Sequence, residues 1–109
     1  MDILIQADGV TLTEAIRDVI DEKIGHVGQY APRALRARVR LRKVSAHPSP
    51  RQYVVRVLVE IPGADLSAEE SGANVVNALD VVAGKIERRL RKRKTDRLAR
   101  RARGARRRP

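Results

Sequence analysis

The sequence predicts an α+β fold: a four-stranded mixed sheet with two helices packed on one face, in the order βαβββα. Three observations carry this. Apolar residues alternate in four separate stretches, which is strand periodicity, and recur at three- and four-residue intervals in two others, which is helix periodicity. Proline, glycine and serine clusters fall between these stretches and not within them. The chain has 109 residues, room for a single hydrophobic core.

The opening DILIQAD places Ile3, Ile5 and Ala7 on one side of a short strand. TLTE follows, in which Thr11 and Glu14 have capping-box spacing ahead of Leu12, Ile16, Val19, Ile20, Ile24 and Val27. This predicts a helix over Thr13–Gly28, closed by glycines and Pro32. In LRARVRLRKV (35–44), Leu35, Ala37, Val39 and Leu41 face one way and Arg36, Arg38, Arg40 and Arg42 the other. SAHPSP is a loop, and residues 51–61 alternate again with Tyr53, Val55, Val57, Val59 and Ile61 as the apolar set. Pro62-Gly63 forms a tight turn into ADLSAEES, a strand with Leu66 and Ala68 inward. Asn74 can cap a final helix whose stripe runs Val75, Leu79, Val82, Ile86 and Leu90. The strand–helix–strand crossover makes the first two strands parallel, and short connections make the rest an antiparallel meander. Residues 1–95 form the domain. Residues 96–109 lack an apolar period and are expected to be an arginine-rich arm without regular structure.

Composition narrows the function. There is no cysteine, so disulfides, thiolate chemistry and cysteine-based zinc sites are excluded, which suits a reducing cytoplasm. No apolar run approaches a membrane span, and no membrane partner is expected. His26 and His47 are the only histidines, and Glu69-Glu70, adjacent on a strand, point to opposite faces. No phosphate loop, nucleophile elbow or metal-ligand spacing occurs. Neither an enzyme, nor a cofactor, nor a small-molecule substrate is expected.

The charge is the informative feature. It totals +11 and is laid out in blocks: −4 over residues 1–32, +8 over 33–56, −5 over 57–84 and +12 over 85–109. Basic surfaces set apart from acidic ones favour a polyanionic partner. On the last helix, a step of about 100° per residue gathers Lys85, Arg88, Arg89 and Lys92 on one flank of the apolar stripe. Asp80, Glu87 and Arg91 fall on the other, with Glu87 and Arg91 spaced for an ion pair, and Arg93 falls on the stripe itself. A second basic feature is the ladder Arg36, Arg38, Arg40 and Arg42, with Arg56 at matching parity on the next strand. Arginine's planar fork suits phosphate, although a charged strand can equally guard a sheet edge. Two tyrosines, without Phe or Trp, make a poor base-stacking platform, so recognition of RNA backbone and shape is favoured.

Several stretches resemble one family. TEAIRDVIDEKI (13–24), IPGADLSAEE (61–70) and NALDVVAGKIERRLRKRK (77–94), with the βαβββα order, are similar to the bacterial ribosome hibernation-promoting factors, also called ribosome-associated inhibitor or sigma-54 modulation proteins. The most specific piece is an Ala-x-Asp followed by Lys-[Ile/Leu]-Glu-Arg-x-Leu-x-Lys. Ala78, Asp80, Lys85, Ile86, Glu87, Arg88, Leu90 and Lys92 match it, and the first helix adds Thr13, Glu14, Ala15, Arg17 and Lys23. Family members commonly carry an aromatic residue just before the Ala-x-Asp, where this chain has Asn74-Val75-Val76-Asn77. The resemblance implies a cytoplasmic factor that binds small-subunit rRNA in the tRNA/mRNA channel and inhibits translation under stress or in stationary phase. It implies rRNA contacts for Lys85, Arg88, Arg89, Lys92 and Lys94, supported by Arg17, Lys23 and the strand arginines. Long members pair ribosomes through a second domain; for this chain, pairing ribosomes and silencing single ones both stay open, and in isolation it is expected to be a monomer. Two other readings fit the charge: a general nucleic-acid-binding module without ribosome preference, and a protein–protein regulator using the open sheet.

Overall fold

The computed structural model describes residues 1–107, and its elements follow the expected order. They are β1 (Asp2–Asp8), α1 (Glu14–Gly28), β2 (Arg36–Lys43), β3 (Tyr53–Glu60), β4 (Leu66–Gly72) and α2 (Val75–Arg107). The sheet order is β1-β2-β3-β4, with β1 parallel to β2 and the other two pairings antiparallel. Ile5 stands opposite Val39 and Val39 opposite Val57, so one row of apolar side chains runs across the strands beneath the helices.

That row and its neighbours form the core. Ala37, Val39 and Leu41 of β2 and Val55, Val57 and Val59 of β3 are buried, as are Ile20, Ile24 and Val27 of α1. Helix α2 contributes its whole expected stripe, Val75, Leu79, Val82, Ile86 and Leu90, with Ala78 and Ala83 filling the gaps between larger side chains. Burying an aliphatic side chain of this kind stabilises the fold by about 1.5–3 kcal/mol. Small residues such as Ala68, Ala78 and Ala83 let α2 lie close to the sheet without any aromatic wedge. Among the described residues, no helix is long and apolar enough to cross a membrane.

Local chemistry fixes the ends of the elements. Asn74 Oδ1 accepts from the Asn77 amide at 2.8 Å, capping α2 as its position suggested. For α1 the cap is Thr13, whose Oγ1 accepts from the Ile16 amide at 3.2 Å, and not the Thr11–Glu14 box. A threonine two residues later has the same hydroxyl and lies at the true first turn. Gly63 adopts φ +97°, which the turn between β3 and β4 needs, and Asp65 closes that turn by accepting the Ile61 amide at 3.0 Å. Leu35, expected inward with the β2 residues, is 59 % exposed. It precedes the first residue of β2 and so escapes the strand's alternation.

The largest departure is the length of α2. It runs for 33 residues and continues to Arg107, through residues assigned to an unstructured arm. The docked half supplies the helix nucleus, which is the costly step, and Leu98, Ala99 and the arginines are good helix formers that extend it. Arg108 and Pro109, the end of that expected arm, lie outside the described residues.

Candidate nucleic-acid interface

The two basic features lie on opposite layers of the molecule. The arginines of β2 and β3 occupy the open face of the sheet, and the basic residues of α2 lie on the helical layer.

On the sheet, the register places Arg40 between Gln6 and Arg56, and Arg56 next to Glu69. The like charges are held apart by carboxylates that are nearby in space but distant in sequence. Arg38 Nε donates to Glu60 Oε1 at 2.7 Å, and Arg36 Nε lies 3.1 Å from Glu60 Oε2 without the alignment of a hydrogen bond. Arg40 Nε donates to Asp8 at 3.2 Å and Arg42 Nη2 to Glu69 at 3.4 Å. These four side chains remain 40–54 % exposed, so each pair is a surface pair of small net stability. Arg56 makes no ion pair among the described residues. Exposed Leu4 and half-buried Leu58 lie among the arginines, giving a face of mixed character.

On α2, the flank expected to be purely cationic divides into two rows. Lys85, Arg89 and Arg93, four residues apart, lean onto β4 and the turn before it. Lys85 Nζ donates to Glu70 Oε2 at 2.6 Å, Arg89 donates to the Ser67 carbonyl, and Arg93 donates to the Ala64 and Asp65 carbonyls at 2.7 and 3.3 Å. The hydrogen bond from Lys85, then its charge, then the Ser71 amide hold the Glu70 carboxyl below its ordinary value of 4.5. Arg88 and Lys92 form the outer row. Both are exposed, and among the described residues neither has an ion pair or a side-chain hydrogen bond. Arg93 therefore takes the stripe position after Leu90 and ties α2 to the β3–β4 turn, a role its basic character hid in the sequence.

The opposite flank of α2 is the seam with α1. Lys23 Nζ donates to Asp80 at 2.7 Å, and this bond raises the lysine above its ordinary 10.5. Glu87 and Arg91 do not pair with each other. Glu87 lies 3.4 Å from His26 Nδ1, and the Arg91 guanidinium sits 4.9 Å from the Tyr30 ring centre while donating to its hydroxyl at 2.7 Å. Partners on α1 win because they are fixed by packing, whereas an i,i+4 pair on an exposed helix gains only a few tenths of a kcal/mol. Lys23 is thus occupied, whereas Arg17 is exposed on α1 and has no such partner among the described residues. Lys94 falls on the α1 side of α2, beside the residues that follow α1 and away from Arg88 and Lys92. Among the described residues no group of three or more His, Asp or Glu side chains could hold a metal ion.

Residues 3–98 match the family described as sigma 54 modulation protein / S30EA ribosomal protein. A curated relative from Deinococcus radiodurans, a ribosome hibernation promotion factor, is 34 % identical over 86 residues, which cover 79 % of this chain and 45 % of that protein. A protein of the same name from Staphylococcus aureus (strain COL) is 33 % identical over 94 residues, 84 % of this chain and 47 % of that one. The chain thus spans under half the length of these curated relatives. Among solved structures, the N-terminal domain of Thermus thermophilus Protein Y superposes with a TM-score of 0.71 at 24 % identity, covering 84 % of this chain and 98 % of that one. A ribosomal subunit interface protein from Coxiella burnetii gives 0.75 at 19 % identity, covering 87 % and 99 %. These two likenesses are of fold. With the helix motif in place and the family match running from β1 into the projecting part of α2, the chain belongs to the sigma 54 modulation protein / S30EA ribosomal protein family.

Proposed function

We propose that the chain is a ribosome-associated hibernation factor that acts by binding and not by catalysis. In this reading its α2 surface neutralises phosphates of small-subunit rRNA in the tRNA/mRNA channel, in the cytoplasm, and the space it fills excludes tRNA and mRNA. The observation that carries the reading is the outer row of α2. Arg88 and Lys92 project from a helix whose other faces are fixed to β4, the sheet and α1, and neither makes an ion pair among the described residues. Cations held so, on a rigid element, can meet phosphate without first breaking an internal pair. The names of the two curated relatives support the ribosomal partner.

The test is sedimentation with purified small subunits across a salt series, with excess tRNA or plasmid DNA as competitor. Engagement of about five to eight phosphates gives a log–log salt slope of roughly −4 to −7. A ribosome factor keeps its place on the subunits under competition, and a general nucleic-acid binder is stripped off. Truncation after Thr95 retains most of the binding; complete loss would move the grip from the docked half of α2 to its projecting half.

A further inference from the structure

Where α2 leaves the body of the domain it roofs a cleft of about 360 Å³ between the end of α1 and the β3–β4 turn. Its floor is apolar, with Pro32 on one side and Ile61 and Pro62 on the other. Its rim is cationic: Arg33, Lys94 and Arg97 line it, with Arg93 already donating to the β3–β4 turn, and among the described residues no acidic side chain does. Cations beside an apolar floor set it apart from the sheet face and from the recess between the helices. The sheet face is threaded with Asp8, Glu60 and Glu69, and the recess between α1 and α2 holds Glu22, Asp80 and Glu87. A ligand suited to this cleft carries negative charge at one end and a flat apolar surface at the other.

Tyr30 adds a directed donor. Its ring is stacked on His26 at 5.7 Å between centres and lies under the Arg91 guanidinium, so its position is fixed. Its oxygen accepts from Arg91, which leaves the hydroxyl hydrogen to donate to an acceptor in the cleft. Inorganic phosphate would leave the apolar floor unused, and an apolar peptide would leave three cations unpaired.

We propose that this cleft receives one unpaired nucleotide of an RNA chain, its base against Pro32, Ile61 and Pro62 and its phosphate on Arg33, Lys94 and Arg97. The site rests on the RNA-binding reading above and adds to it a base-dependent contact beside the phosphate-only surface of α2. Folded RNA offers such bases in loops and bulges, where they are splayed out of the stack.

The test measures binding of the full chain to a labelled hexauridylate and to an abasic ribose-phosphate oligomer of equal length, at one ionic strength. The uridylate is expected to bind about tenfold more tightly, the effect of burying one base face. Tyr30→Phe and Ile61→Ser are expected to narrow that gap, and Arg97→Ala to weaken both oligomers alike. Thermal melts establish that the variants fold, and crosslinking of the unaltered chain to 4-thiouridine-substituted RNA, mapped by mass spectrometry, gives a readout that no variant can confound. Crosslinks in 30–33 or 61–62 support the site. Equal affinity for the two oligomers, a gap unchanged in both variants, or crosslinks confined to 85–92 overturns it. Sedimentation with small subunits separates the two ideas: subunit binding without base dependence removes the cleft alone, and absence of subunit binding by the unaltered chain removes the hibernation reading.

Discussion

Replacing Arg88 and Lys92 together by alanine is expected to flatten the salt dependence of ribosome binding more than replacing Arg38 and Arg40 together. Both double variants remove the same net charge, so a difference between them reports position. Arg38 and Arg40 already donate to Glu60 and Asp8, and a phosphate arriving there meets those carboxylates as well as the guanidinium. Arg88 and Lys92 make no ion pair or side-chain hydrogen bond among the described residues and face solvent. Each phosphate contact contributes about 0.7–0.9 to the log–log slope, so losing two lowers its magnitude by about 1.4–1.8. Over a fourfold rise in salt, that shrinks the accompanying fall in affinity by roughly tenfold. The sheet pair is expected to change the slope by about half as much or less. Alanine is a strong helix former, so α2 stays helical at both sites. The assay is filter binding or sedimentation with small subunits at four potassium chloride concentrations. Equal slopes for the two double variants, or a larger change for the sheet pair, would refute the argument that internal carboxylates decide which cations are available.

Three further outcomes follow from the packing and the electrostatics. Ile86→Ala removes a fully buried side chain of the α2 stripe and is expected to cost about 2–5 kcal/mol in urea denaturation. Asn74→Ala removes the acceptor for the Asn77 amide and is expected to cost about 1 kcal/mol by the same measurement. Because the Glu70 carboxyl titrates below its ordinary 4.5 in the folded chain, its interaction with Lys85 stabilises the fold above that pH. The contribution is lost as pH falls through the lowered folded value. Lys85→Met should therefore reduce stability at neutral pH and make acid denaturation begin from a shallower slope, read as midpoint against pH.

The fold was legible because period and punctuation agreed at every element. The α2 stripe and the central apolar residues of β2 and β3 are buried as expected, with Tyr53 and Ile61 at the β3 ends only partly so, and Asn74 caps where its position suggested. Leu35 and Thr11 misled for the same reason: alternation and capping patterns extend a residue or two past the true element ends, where only geometry decides. The site was legible as charge and less so as arrangement. Spacing put Lys85, Arg88, Arg89 and Lys92 on one flank, but nothing local in the sequence says that Glu70 and the Ser67 carbonyl engage two of them from β4. Partners fifteen and twenty-two residues away become neighbours only through the sheet. Arg91 on Tyr30, sixty-one residues apart, was hidden in the same way. The nucleating effect of a docked helix on the residues that follow it is likewise a tertiary property, and composition alone made that segment look structureless.

After Leu90 the apolar stripe of α2 gives way to arginine, with Arg93, Arg97 and Arg100 in the same angular sector. The helix is thereby a ruler. At 1.5 Å per residue it sets charge at fixed heights, about 12 Å of reach between Arg93 and Arg101. A flexible tail of the same composition would have a similar average reach but a wide spread of end positions. Under the proposed function, with spacing built into the chain, phosphates on a second RNA segment would be matched or missed as a register, and less of the ordering cost would remain to be met on contact.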